Sequence, residues 1–194
     1  MIVVCSSSKF LFESICEAGG QCLVDSYNQT LSQNPNQSLI AVGNRGELAA
    51  KEVYFISWKA DANEKILQDS IRKYVSEAIK TAAQDHHQSI AFPAIGCGKI
   101  GCSIDLIAEV LIDEVDRQLL KYDISVIFVI EPMRTDIYDR FQQQIFALPS
   151  FKDEIEAISI PVMKGRITIE QGDLTRQQVI VLSNIFASDL IVCR

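Results

Sequence analysis

The stretch Ser89-Ile-Ala-Phe-Pro-Ala-Ile-Gly-Cys-Gly-Lys-Ile-Gly-Cys102 decides how this chain is read. An apolar β run, broken by Pro93 near its carboxyl end, enters a loop punctuated by Gly96, Gly98 and Gly101, and an amphipathic helix follows at once. Glycine has no Cβ, so such a loop takes positive φ and brings backbone N–H groups close to an anion. The next helix adds the partial positive charge of its amino terminus. The pattern departs from the two commonest phosphate loops. The spacing of a dinucleotide fingerprint is present, but in mid-chain and with no acidic residue closing a second strand about 20 positions on. A Walker loop ends in Gly-Lys-Ser/Thr, whereas Lys99 is followed by Ile100. On the residues alone, an anion cradle and a tight structural turn both fit.

Outward from this loop, strands and helices alternate. Met1 to Cys5 reads as a strand, and Phe10 to Leu31 as a helix interrupted at Gly19-Gly20. Ser32 to Gln37 is a turn containing Pro35; Leu39 to Val42 and Val53 to Trp58 read as strands joined through Gly43-Asn44-Arg45-Gly46. From Asn63 to Gln84, Ile66, Leu67, Ile71, Tyr74, Val75, Ala78 and Ile79 share one helical face. Ser103 caps a helix carrying Ile104, Ile107, Ala108, Leu111, Ile112, Val115 and Leu119. Ile124 to Ile130 is an apolar strand, and Thr135 to Phe146 a last amphipathic helix. The rhythm predicts an α/β fold of three layers, with a mixed, mostly parallel sheet between helices and a ligand crevice outside the carboxyl ends of the strands. This body spans residues 1–148. Residues 149–164, with Pro149, Pro161 and the acidic Asp153, Glu154 and Glu156, read as a linker. At Arg166 a fresh alternation opens residues 165–194.

The chain has 194 residues, 48% of them apolar, and a net charge of −7 with no basic run; that pattern sets direct nucleic-acid binding aside, because such binding needs clustered Lys and Arg. Six cysteines lack zinc-ligand spacing and lie mostly in apolar segments, which predicts a reducing compartment, cytoplasm or nucleus, and no metal. No secretory leader pattern and no run of 18 apolar residues occurs, so no membrane partner is expected.

Phe92-Pro93-Ala94-Ile95-Gly96-Cys97-Gly98-Lys99-Ile100-Gly101 resembles the phosphate loop of macrodomains, particularly those fused to mono-ADP-ribosyltransferases of the macro-PARP type. The resemblance extends over residues 1–148 in order of elements, with Ile2-Val3-Val4 similar to the strand entering the first ligand loop and Ala18-Gly19-Gly20 to the helix after it. It implies that Ala94, Ile95, Gly96, Cys97, Gly98, Ile100 and Gly101 wrap the diphosphate and distal ribose of ADP-ribose, with no further cofactor. Arg166-Ile-Thr-Ile-Glu-Gln-Gly-Asp-Leu-Thr-Arg176 resembles the first strand and turn of a macrodomain, as though a second, incomplete one began there, and implies an adenine contact for Asp173. Val179 to Leu182 stands as its next strand. The first copy lacks its usual first strand. Its first loop also departs from the family, because Cys5-Ser6-Ser7-Ser8 replaces an asparagine turn and Phe10-Leu11-Phe12 stands where a glycine run is expected.

Bulky residues there do not bring N–H groups to close approach as glycines do. The resemblance therefore implies a binding module for ADP-ribose or mono-ADP-ribosylated proteins, weakened in affinity and without hydrolase activity. The alternative is a ligand-free scaffold beside a neighbouring macrodomain of a longer protein. Phe10, Leu11 and Phe12 discriminate between them, filling the ribose site in a scaffold and turning into the core in a reader. Cys97 near a helix amino terminus invites a nucleophile reading, yet His86 and His87 lie outside the ligand loops, so no catalytic residue is expected. Lys99 reads as a solvated side chain, Trp58 as core, and Arg134-Thr135-Asp136 as turn chemistry.

Overall fold

The computed structural model describes residues 1–148 and 166–171. Ten elements follow one another: β1 (Ile2–Cys5), α1 (Lys9–Gln33), β2 (Leu39–Val42), β3 (Val53–Ile56), α2 (Glu64–Gln84), β4 (Ser89–Pro93), α3 (Ile104–Leu119), β5 (Ser125–Ile130), α4 (Thr135–Ala147) and β6 (Arg166–Gln171). The strands form one sheet in the order β2-β3-β1-β4-β5-β6. Only β2 runs antiparallel to its neighbour. The expected mixed, mostly parallel sheet between helix layers is what forms.

Local chemistry sets the helix limits. Asn63 caps α2 by accepting hydrogen bonds from the N–H groups of Lys65 and Ile66, and Ser103 caps α3 by accepting from Leu106. Within α1, Gly20 sits at φ 72° and ψ −174°, so the helix kinks at the Gly19-Gly20 pair read from the sequence. One face of the sheet packs Val3, Tyr54, Ile90, Phe92, Val126, Phe128 and Ile167 against α2, α3 and α4. The other packs Ile2, Val4, Val53 and Phe55 against α1, through Ile15 and Leu23. Ile66, expected on the buried stripe of α2, is exposed. Conversely Glu114 and Gln118 are buried on α3, where Gln118 donates to Glu114 at 2.6 Å and Arg117 pairs with Glu114 from the surface.

Residues 166–171 are not separate from the body. β6 lies parallel to β5 in unbroken register, from Ser125 opposite Arg166 to Ile130 opposite Gln171, and Ile167 and Ile169 are each 7% exposed against the α3 and α4 side. β5 is apolar from Val126 to Ile130, its outer edge would otherwise present unpaired N–H and C=O groups, and β6 satisfies them. Because β4, β5 and β6 are parallel, they end at the same edge of the sheet, and the glycine loop leaves β4 there.

Candidate functional site

Three loops converge at that edge. The β1–α1 loop contributes Ser6 to Ser8, and Ser7 ties it to the end of β3: its hydroxyl lies 3.1 Å from that of Ser57 and accepts from the Trp58 N–H at 3.2 Å. The Trp58 side chain is buried and donates to Ser70 at 3.0 Å, so it belongs to the core, as its type suggested.

The glycine loop folds on itself. The N–H of Gly101 donates to the Gly98 carbonyl at 3.0 Å and that of Cys102 to the Gly96 carbonyl at 3.2 Å. The N–H groups of Gly96, Gly98, Lys99 and Ile100 make no hydrogen bond among the described residues. Gly96 and Gly101 have φ of 77° and 72°, a left-handed conformation that costs any other residue. Gly96 is also sterically closed: a Cβ there would stand 3.1 Å from both Ile107 Cδ1 and Trp58 Cη2. At Gly98, by contrast, nothing lies within 4 Å of such an atom. Such unpaired N–H groups, on an open turn ahead of the capped amino terminus of α3, are donors of the type that anions take.

Of the loop positions singled out in the sequence, Gly98, Ile100 and Gly101 are exposed and Ala94 half-buried. Ile95, Gly96 and Cys97 are buried, so these three offer a ligand backbone rather than side chain. Burial pushes the Cys97 thiol up to about 12, against a weaker opposing pull from Arg134. A thiol pushed up by burial carries little thiolate at neutral pH, the opposite of what a place near a helix amino terminus would give it.

The third loop, between β5 and α4, carries the residue that sequence reasoning undervalued. Arg134 was read as turn chemistry. Its guanidinium instead donates to the Cys97 carbonyl at 3.3 Å while pairing with Asp136 through Nε and Nη2 at 2.9 and 2.8 Å. That hydrogen-bonded pair holds the Asp136 carboxyl below its usual range. Arg134 thus props the glycine loop from the next strand. No sequence signal announced the contact, because the Arg-x-Asp spacing satisfies itself locally and the loop is 37 residues away in the chain.

The Phe10-Leu11-Phe12 segment divides. Phe12 packs edge-on against Tyr27 and Phe55 in the α1 layer, and Leu11 is half-buried against both core clusters. Phe10 stays 72% exposed, and the Lys99 ammonium lies 5.9 Å from its ring centroid, so a cation–π contact joins the first loop to the glycine loop. Lys99 is therefore exposed but not idle. Asp173 lies outside the described residues.

Away from this edge, Glu52, Asp85 and His87 place ligand-type atoms within 4.8 Å of one another. Each has a partner: His87 Nε2 is 2.8 Å from Glu52, and Tyr54 donates to Asp85. His87 is thus half-buried and paired rather than a solvated loop residue, and only His86 is exposed. No helix among the described residues is long and apolar enough to cross a membrane.

A sequence profile of the Macro domain family matches residues 13–111, which enclose the whole glycine loop. Solved structures of the same architecture include the Oceanobacillus iheyensis macrodomain with ADP (TM-score 0.67, 15% identity, 75% of this chain and 82% of that one). A Trypanosoma brucei macrodomain in complex with ADP-ribose gives a TM-score of 0.61 at 17% identity, over 74% of this chain and 62% of that one. The macro domain of ganglioside induced differentiation associated protein 2 gives 0.60 at 16%, over 74% and 75%. At these identities the likeness establishes the fold.

Proposed function

The chain belongs to the macrodomain family, and from that premise we propose that it is a binding module for ADP-ribose or mono-ADP-ribosylated proteins, with weakened affinity and without hydrolase activity. One observation carries the reading. The glycine loop presents the unpaired N–H groups of Gly96, Gly98, Lys99 and Ile100 at the carboxyl edge of the sheet, beside the amino terminus of α3, where a diphosphate gains hydrogen bonds and a favourable dipole together. That structural relatives carry ADP or ADP-ribose supports the same choice of ligand. Ala94 to Cys97 contribute backbone, and Gly98, Ile100 and Gly101 line the opening.

Affinity is lowered because the first loop supplies serines and Phe10 in place of a glycine run, which leaves the nucleotide firmly held at one end only. Hydrolysis needs an activated water and a group to orient it. Neither the serines of the first loop nor the protonated Cys97 fills that role. The likeness of Arg166 to Arg176 to a macrodomain's opening strand and turn assigns Asp173 an adenine contact. The affiliation with macro-PARP-type proteins, and a neighbouring macrodomain in a longer chain, rest on the loop sequence and on the macrodomain-like opening at Arg166.

Calorimetric titration of ADP-ribose into the chain and into a Gly98→Glu variant tests the reading. Saturable heat that the variant loses is the expected result, since glutamate brings bulk and negative charge to the open side of the loop. No heat at millimolar ligand refutes it. A ligand-free scaffold then stands as the second reading, favoured by the Phe10–Lys99 contact that spans the mouth between the two loops.

A further inference from the structure

Among the unpaired donors of the glycine loop, the N–H of Gly98 is tied to a carbonyl that another loop grips. A peptide unit is planar, and in the trans form its C=O and N–H point to opposite sides. No cis bond occurs among the described residues, so the Cys97 carbonyl and the Gly98 N–H belong to one trans unit and face opposite ways. Arg134 holds the carbonyl, to which its Nη1 donates at 3.3 Å across 37 positions of the chain. Nε and Nη2 of the same guanidinium donate to the two carboxylate oxygens of Asp136 at 2.9 and 2.8 Å, so the planar fork is already fixed where it meets the loop. The Gly98 N–H, on the far side of the unit, makes no hydrogen bond among the described residues.

We infer that Arg134 is a positioning residue for the anion site: by gripping the Cys97 carbonyl it locks the Cys97–Gly98 peptide with the Gly98 N–H turned to the ligand and the carbonyl oxygen turned away. The inference rests on the binding reading above and names the residue that keeps this donor aimed.

A lock matters at this peptide in particular. Turning the unit over changes ψ of Cys97 and φ of Gly98, the rotation that interconverts type I and type II turns, and the turned-over form demands a positive φ at the second residue. Gly98 does not have a positive φ, but as a glycine it takes one without steric penalty. Nothing stands within 4 Å of the place a Cβ on it would occupy, so no neighbour packs against it there. Turned over, the unit presents a carbonyl oxygen to the phosphate in place of a donor, a repulsive contact for an anion. Because Asp136 neutralises the guanidinium, Arg134 acts on the ligand through this geometry more than through its charge.

Backbone NMR of the isotope-labelled chain without ligand reads the orientation, because the proton contact from Cys97 Hα to the Gly98 N–H and that between the two N–H groups strengthen and weaken oppositely with ψ of Cys97. The parent should show one pattern, and Arg134→Ala a mixture or the reverse. Arg134→Ala combined with Gly98→Ala should return to the parent pattern, since a Cβ makes the positive φ about tenfold less accessible. In calorimetry Arg134→Ala should bind ADP-ribose at least about threefold more weakly than the parent at an unchanged melting temperature, the competent fraction having fallen. A parental pattern in Arg134→Ala overturns the lock whatever the affinity does, as does a reversed pattern that Gly98→Ala leaves in place. Parental affinity with the unit turned over also overturns it, by cutting the peptide's orientation off from the ligand. A parent that gives no heat refutes the binding reading instead, and the proton contacts then decide the lock alone.

Discussion

Replacing Gly96 and Gly98 one at a time by alanine separates what the glycine loop owes to its own folding from what it offers a ligand. At Gly96 the backbone has φ 77°, and holding a residue with a Cβ there costs about 1–2 kcal/mol. The new methyl would also meet Ile107 Cδ1 and Trp58 Cη2 at 3.1 Å. The first is the movable end of a side chain. The second belongs to an indole fixed by burial and by its bond to Ser70, and overpacking of that kind adds about 1 kcal/mol or more. A gain of about 0.4–1 kcal/mol from the stiffer unfolded chain offsets part of this. Gly96→Ala should therefore destabilise by roughly 1–2.5 kcal/mol, a fall in melting temperature of roughly 3–8 °C for a domain of this size. Gly98 has no positive φ and an open surround, so Gly98→Ala should change stability by less than about 0.5 kcal/mol. If the loop binds diphosphate, that same change should weaken ADP-ribose binding by crowding the unpaired N–H groups. Urea unfolding of both variants, beside calorimetry of Gly98→Ala, reads the two effects apart. Equal destabilisation by the two alanines, or none at Gly96, would refute the steric reasoning.

Ile169→Ala should cost about 2–4 kcal/mol if β6 is an integral strand of the sheet, and an unfolding midpoint like that of the parent would show that it is not. Phe10→Ala should tighten ADP-ribose binding about two- to fivefold by removing a surface cation–π contact of about 0.5–1 kcal/mol across the mouth; weaker binding in calorimetry would instead make Phe10 a ligand contact. Stability should decline as pH rises above 9, the ordinary value for these thiols. Below it the Cys97 thiol is protonated in both states, whereas between 9 and about 12 the unfolded thiol ionises and the buried one does not, which favours unfolding. Urea midpoints at about pH 8 and about pH 10.5 would reveal this, and a flat profile would contradict the burial argument.

Much of this molecule is written locally. Apolar periodicity sufficed for α2, α3 and α4, the Ser103 cap placed the start of α3, and the Gly19-Gly20 break marked the kink in α1, because each depends on neighbours within about two turns. The glycine loop was legible for the same reason: positive φ at Gly96 and Gly101 is a property of the residue type, and a strand and a helix flank it in the sequence. Other features depend on where distant segments come to rest. The alternation Arg-Ile-Thr-Ile-Glu announces a strand, but its placement beside β5 follows from an edge that only the assembled sheet leaves open. Arg134 gained its bond to the Cys97 carbonyl, and Phe10 its contact with Lys99, because parallel strands bring their following loops to one edge. The residues by themselves determined an α/β body with a glycine turn between β4 and α3. Tertiary structure decided that β6 completes the sheet, that Cys97 is a buried, protonated thiol, and that three loops share one crevice, since burial, register and strand order are properties of the packed whole.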